Sequence, residues 1–396
     1  MSGTNMNALV LDPATRIVTL ETISLPSPGP FELLVRAEAI SLNPIDPLYV
    51  QHPLATTKRT IGSDFAGTVV SLGNAVPKST SISIGDRVSG FLQGACSVNE
   101  RPGAFSEYLV IPWDLVWKIP ESVSIEQAAG VSLVALTAAQ SIFYRLGLRT
   151  PFEYDEETAL AEHPEWANNR KGTHAEPINV FIYGSSTAVG LFAAQMIRVS
   201  AKVTGQKFRL FGAASKARWE MLKAEPYGYE HLVDYRDDGW AERVVELTGS
   251  ERMHYAYDCI SEGSSVEKVS SLLAGGGKAA IVRSRAGGAW TAGHLPVEPI
   301  YGAVWEGLGE EVEYQGFTIP RSPAARDFAV QFYRWLSSAV GSAIKPVPIR
   351  LMPGGLEKVV QDGFHLLGSG KMEDRDVTRA EEWMRPVSAE KLVYKL

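Results

Sequence analysis

The chain has 396 residues, too many for one ordinary hydrophobic core, which predicts two or three domains. Hydrophobic residues make up 45% and charged residues 21% of the sequence, the balance of a globular protein and not of a disordered one. The net charge of −7 argues against a nucleic-acid partner or an anionic membrane surface, since both favour basic proteins.

Membrane and secretion signals are not found in the sequence. No apolar run reaches the roughly 18 residues of a membrane-spanning helix. The first residues lack the basic-then-apolar order of a signal peptide. Only two cysteines occur, Cys96 and Cys259, so we expect reduced thiols, no disulfide framework and a cytoplasmic protein.

The predicted elements fall into three regions. From about residue 6 to 130 the chain predicts short strands punctuated by glycine, including 33–37, 67–70 and 85–88. From about 178 to 318, apolar strands alternate with helical stretches, as a parallel α/β sheet requires. After about residue 320 the pattern is helical, and it closes on a short strand at 391–394.

Two charged segments, 151–178 and 371–386, interrupt these patterns. The first is acidic and has no apolar periodicity. One interpretation is a solvated surface loop, because added loop length costs little free energy. The other is a lid or a partner-docking segment.

The strongest local signal is an apolar run at 179–183 that meets a glycine turn and then a helix. This order places backbone N–H groups and the positive end of a helix where a pyrophosphate binds. Gly190 would permit close packing of the helix on the strand. Ser186 stands where the G-x-G-x-x-G fingerprint has its middle glycine, so an ordinary βα turn is the alternative. The candidate cofactor residues here are Gly184, Ser185, Ser186, Thr187, Ala188 and Val189.

The next predicted strand, 208–211, bears on the choice of cofactor. An NAD-specific site would place a carboxylate near the end of this strand to bind the ribose 2′-hydroxyl. The residues found there are Ser215, Lys216, Ala217 and Arg218. A hydroxyl and two cations suit the 2′-phosphate of NADP, and Tyr235 and Arg236 would cover the same phosphate. A solvated helix start is the alternative for the two cations; we predict NADPH.

Five further motifs complete a resemblance to the medium-chain dehydrogenase/reductase superfamily that covers nearly the whole chain. They are Asn43-Pro44-Ile45-Asp46, Gly62-Ser63-Asp64-Phe65-Ala66-Gly67, Gly85-Asp86-Arg87-Val88, Gly103-Ala104-Phe105-Ser106-Glu107-Tyr108 and Ala135-Leu136-Thr137-Ala138. The resemblance implies an α/β fold with a GroES-like β-rich substrate domain at 1–140 and 319–396. A Rossmann domain with a doubly wound parallel sheet would be inserted at 141–318, with the charged insertion 151–178. It also implies a monomer or a homodimer.

The zinc-dependent members carry a cysteine near Asp46, a Gly-His-Glu where this chain has Gly62-Ser63-Asp64, and a four-cysteine loop. The region after Gly90 contains only Cys96, and the seven histidines show no ligand spacing. A catalytic zinc needs three protein ligands. The sequence therefore predicts the zinc-free branch and no metal.

Within that branch the chain is most similar to the trans-acting enoyl reductases of fungal polyketide synthases, including PKS-NRPS hybrids. The shared motifs are 41–49, 184–188, 233–236, 257–260 and 388–393. The similarity implies an α,β-unsaturated polyketide thioester as substrate, carried on an acyl carrier protein. Some relatives have a lysine two residues after the aspartate of the N-P-x-D motif; here that residue is Leu48, so one candidate acid is missing.

Reduction of an enoyl thioester builds negative charge on the thioester oxygen, which a nearby donor stabilises. Thr137 is the candidate catalytic residue, through a hydroxyl that contacts the nicotinamide amide or the substrate oxygen. The alternative is a helix-interior threonine bonded to its own backbone. The Asn43–Asp46 segment is expected at the nicotinamide and ribose end of the cleft, with plain turn chemistry as the alternative.

The remaining candidates come from other parts of the chain. The further cofactor-binding residues are Arg283, Val387 and Ser388. The substrate residues are Val131, Ser132, Leu136, Thr137, Ala138, Gly302, Ala303, Val304, Trp305 and Glu306. The stretch 299–306 would line an acyl-chain tunnel or form a core or dimer-edge strand. Cys259 is expected to be a buried small hydrophobe.

Three functions remain open at this point. The first is a carrier-dependent enoyl reductase of polyketide biosynthesis, and the second is a stand-alone NADPH-dependent alkenal or quinone reductase. The third is a nucleotide-binding scaffold without turnover. The first two share one cofactor site and differ in the need for a carrier protein.

Overall fold

The computed structural model describes residues 5–94, 101–169, 177–249, 251–314, 316–369, 372, 375 and 379–396. The chain divides into two compact units. The first comprises Met1–Leu133, Glu310–Arg321 and Tyr333–Leu396, and the second comprises Val134–Gly309 and Ser322–Phe332. The sequence predicted divisions after residues 140 and 318, whereas the structure divides the chain after Leu133 and Gly309 and returns 322–332 to the second unit.

The N-terminal part of the first unit is rich in short strands, as predicted. Its strands are β1 (Asn5–Asp12), β2 (Ile17–Ser24), β3 (Glu32–Ser41), β4 (Arg59–Thr60), β5 (Asp64–Leu72), β6 (Arg87–Phe91), β7 (Tyr108–Pro112) and β8 (Val116–Lys118). Its helices are α1 (Ile45–Gln51), α2 (Ile125–Ala129) and the start of α3 (Ser132–Ala139). The strand predicted at 85–88 begins only at Arg87, because Gly85 lies in a turn with a left-handed φ of 90°.

The second unit is built on a six-stranded parallel sheet. Its strands are β9 (Ile178–Tyr183), β10 (Phe208–Ala213), β11 (His231–Val233), β12 (Met253–Asp258), β13 (Leu273–Ile281) and β14 (Ile300–Tyr301). Its α-helices are α4 (Glu156–Glu162), α5 (Ala188–Thr204), α6 (Trp219–Lys223), α7 (Trp240–Leu247) and α8 (Ser265–Ser271). A π-helix (Gln140–Arg145) follows α3, and 3₁₀ turns occur at Pro164–Asn169, Lys216–Arg218 and Val304–Leu308.

The strand order of this sheet is β11-β10-β9-β12-β13-β14, which is the doubly wound Rossmann order. Residues 178–182 of β9 are all buried, as expected for a central parallel strand, and all of them except Asn179 are apolar. The order reverses between β9 and β12, and ligands bind at such a switch point, outside the carboxyl ends of the strands. The predicted fold class is confirmed.

The chain then returns to the first unit, except that residues 323–332 of α9 belong to the second unit. The remaining elements are β15 (Val312–Tyr314), β16 (Phe317–Ile319), α9 (Pro323–Ala339), β17 (Ile349–Met352), α10 (Gly355–Lys358), a π-helix (Val359–Phe364), α11 (His365–Leu367), a 3₁₀ turn (Glu382–Met384) and β18 (Lys391–Lys395). The last strand, β18, pairs with β17 in parallel and with β3 antiparallel. The first unit thus holds a seven-stranded sheet in the order β17-β18-β3-β5-β6-β8, with β7 on β3.

The acidic insertion is not a solvated loop over its described residues. Asp155 caps α4, because its carboxylate accepts the N–H of Thr158 at 2.9 Å. The rings of Phe152 and Tyr154 lie 5.5 and 5.0 Å from that of Phe328 in α9. The expectation of a loop was wrong here because the aromatic residues that anchor the segment are interleaved with its charges. Residues 170–176 lie outside the described residues, as do 371, 373, 374 and 376–378 of the charged segment 371–386.

Candidate active site

The candidate cofactor residues of the second unit lie at the carboxyl ends of its parallel strands. The turn after β9 carries Gly184, whose φ of 75° is left-handed and suits glycine. The side-chain oxygen of Thr187 accepts the N–H of Gly190 at 3.0 Å and caps α5. A Cβ on Gly190 would lie 2.5 Å from the carbonyl oxygen of Gly184, so only glycine lets the helix pack this closely on the turn.

Some hydrogen-bond donors of this turn have an acceptor within the protein, and others do not. Those of Ser185 have acceptors, because its hydroxyl donates to the carbonyl of Ile182 at 2.8 Å and its N–H to that of Ala213 at 3.0 Å. The N–H groups of Ala188 and Val189, the first two residues of α5, have no acceptor within the described part of the chain. These two N–H groups lie at the positive end of a 17-residue helix, where an anion would be favoured.

The loops after β10 and β11 begin side by side. Ala213 and Val233 are partners in the sheet, and the N–H of Ala214 donates to the carbonyl of Val233 at 3.0 Å. Lys216 lies in the 3₁₀ turn after β10, with 64% of its side chain exposed and its Nζ 3.8 Å from Asp237 Oδ2. That ion pair is long and solvated, so it leaves the ammonium available to an anionic ligand.

Tyr235 and Arg236 follow β11, as the sequence placed them. The guanidinium of Arg236 lies 4.4 Å from the centre of the Tyr235 ring. The Asp234 carboxylate accepts the N–H of Arg236 at 3.1 Å and holds the loop. A hollow of 450 Å³ beside the edge strand β11 is lined by Lys216 and Asp234, among others. Sequence reasoning missed Asp234, although an aspartate directly after a strand is a turn signal.

The ends of β12 and β13 carry an internally bonded loop. Asp258 is fully buried, and its carboxylate accepts the N–H groups of Ile260 and Ser261 at 2.9 and 2.7 Å. Burial raises the pKa of Asp258 to about 6, although these hydrogen bonds lower it. Cys259 is buried and burial raises the pKa of its thiol, so it is the small hydrophobe that the sequence predicted. Arg283 lies at the same edge but forms an ion pair with Glu262 at 3.0 Å.

Helix α3 contributes one accessible side chain. Thr137 is the only residue of Ser132–Ala139 that is not buried, and its carbonyl oxygen lies 3.5 Å from the Tyr257 hydroxyl. The other substrate candidates of this stretch are buried, namely Val131, Ser132, Leu136 and Ala138. Their assignment to the substrate stays a prediction. The hydroxyl of Ser132 is held by the indole N–H of Trp117 at 2.9 Å.

The stretch 302–306 is held by a buried ion pair that the sequence did not reveal. Arg145, 2% exposed, donates to Glu306 at 2.5 Å, and Glu306 also accepts the N–H of Ala303 at 3.2 Å. A Cβ on Gly302 would overlap the Arg145 guanidinium. Ala303, Val304 and Trp305 are buried, and the assignment of this stretch to the substrate stays a prediction.

The first unit turns the polar side chains of its N-P-I-D motif inwards. Asn43 and Asp46 are 1% and 2% exposed, whereas Pro44 is exposed and Ile45 is half-buried. The expected contact of Asn43 and Asp46 with a cofactor stays a prediction. Only Pro44, Ile45 and the backbone are accessible there. Within the described part of the chain, no group of three or more His, Cys, Asp or Glu side chains could hold a metal ion.

The loop that carries Val387 and Ser388 is anchored by Arg350, which sequence reasoning missed. The buried guanidinium of Arg350 donates to the carbonyls of Trp383, Arg385 and Pro386 at 2.9, 2.6 and 3.0 Å. An isolated arginine in a short strand carries no local signal for such a role. Val387 and Ser388 themselves are half-buried.

Comparison with known proteins places this geometry in a family. Residues 29–121 match the model of the alcohol dehydrogenase GroES-like domain, and residues 188–300 match that of the zinc-binding dehydrogenases. The dehydrogenase mokE of Monascus pilosus is 30% identical over 94% of this chain and 96% of its own length. The chain belongs to the medium-chain dehydrogenase/reductase superfamily.

Its relatives in this superfamily include named enoyl reductases. The trans-enoyl reductase traG of Penicillium crustosum is 28% identical over 89% of this chain and 91% of its own length. The enoyl reductase component lovC of the lovastatin nonaketide synthase of Aspergillus terreus is 29% identical over 88% and 89%. A mycobacterial protein solved in complex with NADPH shares the fold, with a TM-score of 0.65, 22% identity and coverage of 99% and 100%. The predicted superfamily, with its enoyl reductase relatives, is confirmed.

No helix in the described part of the chain is both long and apolar enough to cross a membrane.

Proposed function

We propose that this protein is an NADPH-dependent, zinc-independent, trans-acting enoyl reductase of polyketide biosynthesis. Its substrate would be an α,β-unsaturated polyketide thioester on the acyl carrier protein of a synthase in the cytoplasm. The observation that carries the proposal is the resemblance, over about nine-tenths of the chain, to relatives that are named trans-enoyl reductases. The accessible N–H groups of Ala188 and Val189 and the exposed Lys216, at the carboxyl edge of the Rossmann sheet, support it.

The residues present fit a dinucleotide phosphate. The open N–H groups of Ala188 and Val189 would bind the pyrophosphate, and the close approach of Gly190 keeps the turn free of a Cβ. The exposed ammonium of Lys216 would bind the 2′-phosphate, and Ser215, Arg218 and Tyr235 lie on the same pair of loops. No carboxylate directly follows β10, where an NAD-specific site carries one.

The reduced nicotinamide supplies a hydride for the β-carbon of the enoyl group. The protein's own task is to orient the substrate and to stabilise the negative charge on the thioester oxygen. Thr137 is the proposed donor, because it has the one accessible side chain of a helix that is otherwise buried. The Arg145–Glu306 pair would hold the stretch 302–306 rigid.

The use of an acyl carrier protein is inferred from the same relatives. A thioester on a flexible phosphopantetheine arm is presented at high effective concentration, so the enzyme needs little affinity for a short free enone. The carrier-bound enoyl chain should therefore have a kcat/KM at least about tenfold above that of a free alkenal or quinone. A pantetheine thioester of the same chain is the matched control for the carrier itself.

The experiment measures NADPH oxidation with these substrates in parallel, before and after dialysis against a metal chelator. Reduction of the carrier-bound chain at the higher rate, unchanged by the chelator, is the expected result. Fast reduction of quinones with no reduction of carrier-bound chains would show a stand-alone quinone reductase. Loss of activity that zinc restores would overturn the assignment to zinc-independent chemistry.

A further inference from the structure

The hydroxyl of Tyr229 is a buried polar group that the rest of the protein leaves unsatisfied. Tyr229 lies in the loop before β11 and is 3% exposed. Its hydroxyl oxygen is buried and has no hydrogen-bond partner within the described part of the chain. A buried hydroxyl without a partner lowers the stability of a fold, and a phenylalanine would avoid that loss. The hydroxyl therefore needs a reason other than stability.

The Tyr229 ring lies over Gly212 of β10, where it meets the side chain of Ser185. A Cβ on Gly212 would overlap Ser185 Oγ and would lie 2.7 Å from Tyr229 Cε1, so glycine leaves the room that both side chains occupy. Burial raises the pKa of Tyr229, and the neighbouring Ser185 hydroxyl acts in the opposite direction. Two side chains that are distant along the chain thus meet at this point of the sheet.

Ser185 belongs to the turn between β9 and α5. Its hydroxyl donates to the carbonyl of Ile182 at 2.8 Å, and its N–H donates to the carbonyl of Ala213 at 3.0 Å. These two bonds tie the turn to the ends of β9 and β10. A hydroxyl that donates one hydrogen bond can still accept another. Ser185 therefore offers an acceptor to the Tyr229 hydroxyl, which has a proton to donate.

The backbone around Tyr229 is bonded to two helices of the second unit. The N–H of Tyr229 donates to the carbonyl of Leu222 in α6 at 3.0 Å. Arg198 of α5 donates through Nε to the carbonyl of Tyr227 at 3.3 Å and through Nη2 to that of Gly228. The first two N–H groups of α5 have no acceptor within the described residues. The same helix that would bind a pyrophosphate is therefore bonded to the loop that carries Tyr229.

We propose that Tyr229 is a positioning residue for the pyrophosphate of the cofactor, and that its hydroxyl donates to Ser185 Oγ when the pyrophosphate is bound. The bond holds the turn in the shape in which the N–H groups of Ala188 and Val189 meet the phosphate oxygens. This inference rests on the proposed function, in so far as a dinucleotide binds at this turn. Tyr229 touches no reacting atom, and all the residues concerned belong to the second unit.

The test is a double-mutant cycle on nucleotide binding. Tyr229→Phe removes the hydroxyl and keeps the ring, Ser185→Ala removes the acceptor, and a third variant carries both changes. Tyr227→Phe is the matched control, because Tyr227 is a buried tyrosine of the same loop whose pKa is raised by burial alone, without an effect of Ser185. Calorimetry gives the dissociation constants of NADPH and NADH, and the thermal midpoint is measured without nucleotide.

Tyr229→Phe should weaken NADPH and NADH by the same factor, about threefold to tenfold, because both nucleotides carry the pyrophosphate. When Ser185 is already alanine, Tyr229→Phe should have almost no further effect, since the acceptor is absent. The thermal midpoint of Tyr229→Phe should not fall, because the hydroxyl it loses has no partner. Tyr227→Phe should leave both dissociation constants unchanged.

Three results would overturn the inference. One is a Tyr229→Phe variant that binds both nucleotides as tightly as the unaltered protein, whatever its thermal midpoint. Another is an equal loss of affinity with and without the Ser185 hydroxyl, which would show that the two groups do not act together. The third is a loss for NADPH alone, which would place Tyr229 at the 2′-phosphate.

Nucleotide binding also separates this inference from the proposed function, because it needs no enoyl thioester. An unaltered protein that binds NADPH but reduces no enoyl thioester would contradict the proposed function and leave the role of Tyr229 standing. An unaltered protein that binds neither nucleotide would contradict both.

Discussion

Polar groups are arranged in opposite ways in two regions of the molecule. One is the buried cluster of Asn43, Asp46, Ser63, Asp64 and Lys391 in the first unit, called the Lys391 network. The other is the carboxyl edge of the parallel sheet in the second unit. In the network, the ammonium, both carboxylates and the Asn43 amide all bond to other groups of the protein. At the sheet edge, the N–H groups of Ala188 and Val189 have no acceptor within the described part of the chain, and Lys216 is largely exposed. The polar groups of the network are thus satisfied within the protein, whereas those at the sheet edge are accessible to a ligand.

The largest expected effect is the loss of stability on changing Asp64 in the Lys391 network. Asp64→Asn leaves the buried Lys391 ammonium without its carboxylate and should lower the free energy of unfolding by about 3–5 kcal/mol. Denaturant unfolding at neutral pH measures this. Glu126→Gln is the control, because its partner Lys395 is exposed, and it should cost about 0–1 kcal/mol. Equal losses in the two variants would show that the network is no more important than a surface ion pair.

An effect of similar size on activity is expected at Thr137. Thr137→Val removes the proposed donor and should lower kcat on the order of a hundredfold, as the loss of one charge-stabilising donor does. The NADPH dissociation constant should change little. Thr137→Ser keeps the hydroxyl and should retain most of the activity. If the valine variant keeps full kcat, the threonine does not contact the reacting groups.

The pH dependence of stability distinguishes the buried carboxylates of the two regions. Burial raises the pKa of Asp46 from 3.8 to about 7, against the lowering effect of the hydrogen bonds from Asn43 and Ser63. Because the folded state holds this proton more tightly than the unfolded state, the free energy of unfolding should fall as pH rises from about 4 to about 7, and then level off. One proton contributes at most about 1.4 kcal/mol per pH unit.

Asp258 in the second unit contributes in the same direction but over a narrower window, since its pKa is about 6. Between about pH 6 and 7, His231 and His254 contribute slopes of the opposite sign, because burial lowers their pKa values. The contribution of Asp46 is therefore the difference in slope between the unaltered protein and Asp46→Asn. Unfolding of the unaltered protein and of Asp46→Asn across this window measures the difference. The variant should be less stable, because an amide cannot accept both hydrogen bonds, and its slope should be shallower. Identical slopes would show that Asp46 is already ionised in this range.

The smallest expected effect is on NADPH binding, at Lys216 near the carboxyl edge of the parallel sheet. Lys216→Ala should weaken NADPH binding at least tenfold, about 1.4 kcal/mol, and leave NADH binding almost unchanged. Calorimetry with both nucleotides measures this. Lys202→Ala is the control, because Lys202 lies in the last turn of α5, at the opposite end from the phosphate-binding turn. Equal losses for NADPH and NADH would remove Lys216 from the 2′-phosphate site.

The sequence predicted the strand, turn and helix of the second unit better than it predicted the Lys391 network. The reason is how far apart along the chain the contacting residues lie. Strand β9, the turn at Gly184 and helix α5 are consecutive, so an apolar run, a glycine and a 3.6-residue period are enough to predict them. Lys391 meets Asp64 and Asn43 across separations of 327 and 348 residues. Nothing in a local pattern indicates that a lysine at the start of a terminal strand will be buried against them.

The same reason explains two other differences. The acidic segment after residue 151 was predicted as a loop because its aromatic partner Phe328 lies far along the chain. Glu306 was assigned to the substrate because its partner Arg145 is 161 residues away. The partners of such charged or aromatic residues lie far along the chain, so a local sequence pattern does not reveal their contacts.

The measurement that tests the central claim most directly follows the hydride itself. The enzyme is incubated with NADPH deuterated at the transferable position and an enoyl chain on an acyl carrier protein, and the acyl group is analysed by mass spectrometry. We predict one deuterium, located at the β-carbon of the reduced chain. NADPH oxidised by free quinones while the carrier-bound chain gains no deuterium would contradict the assignment.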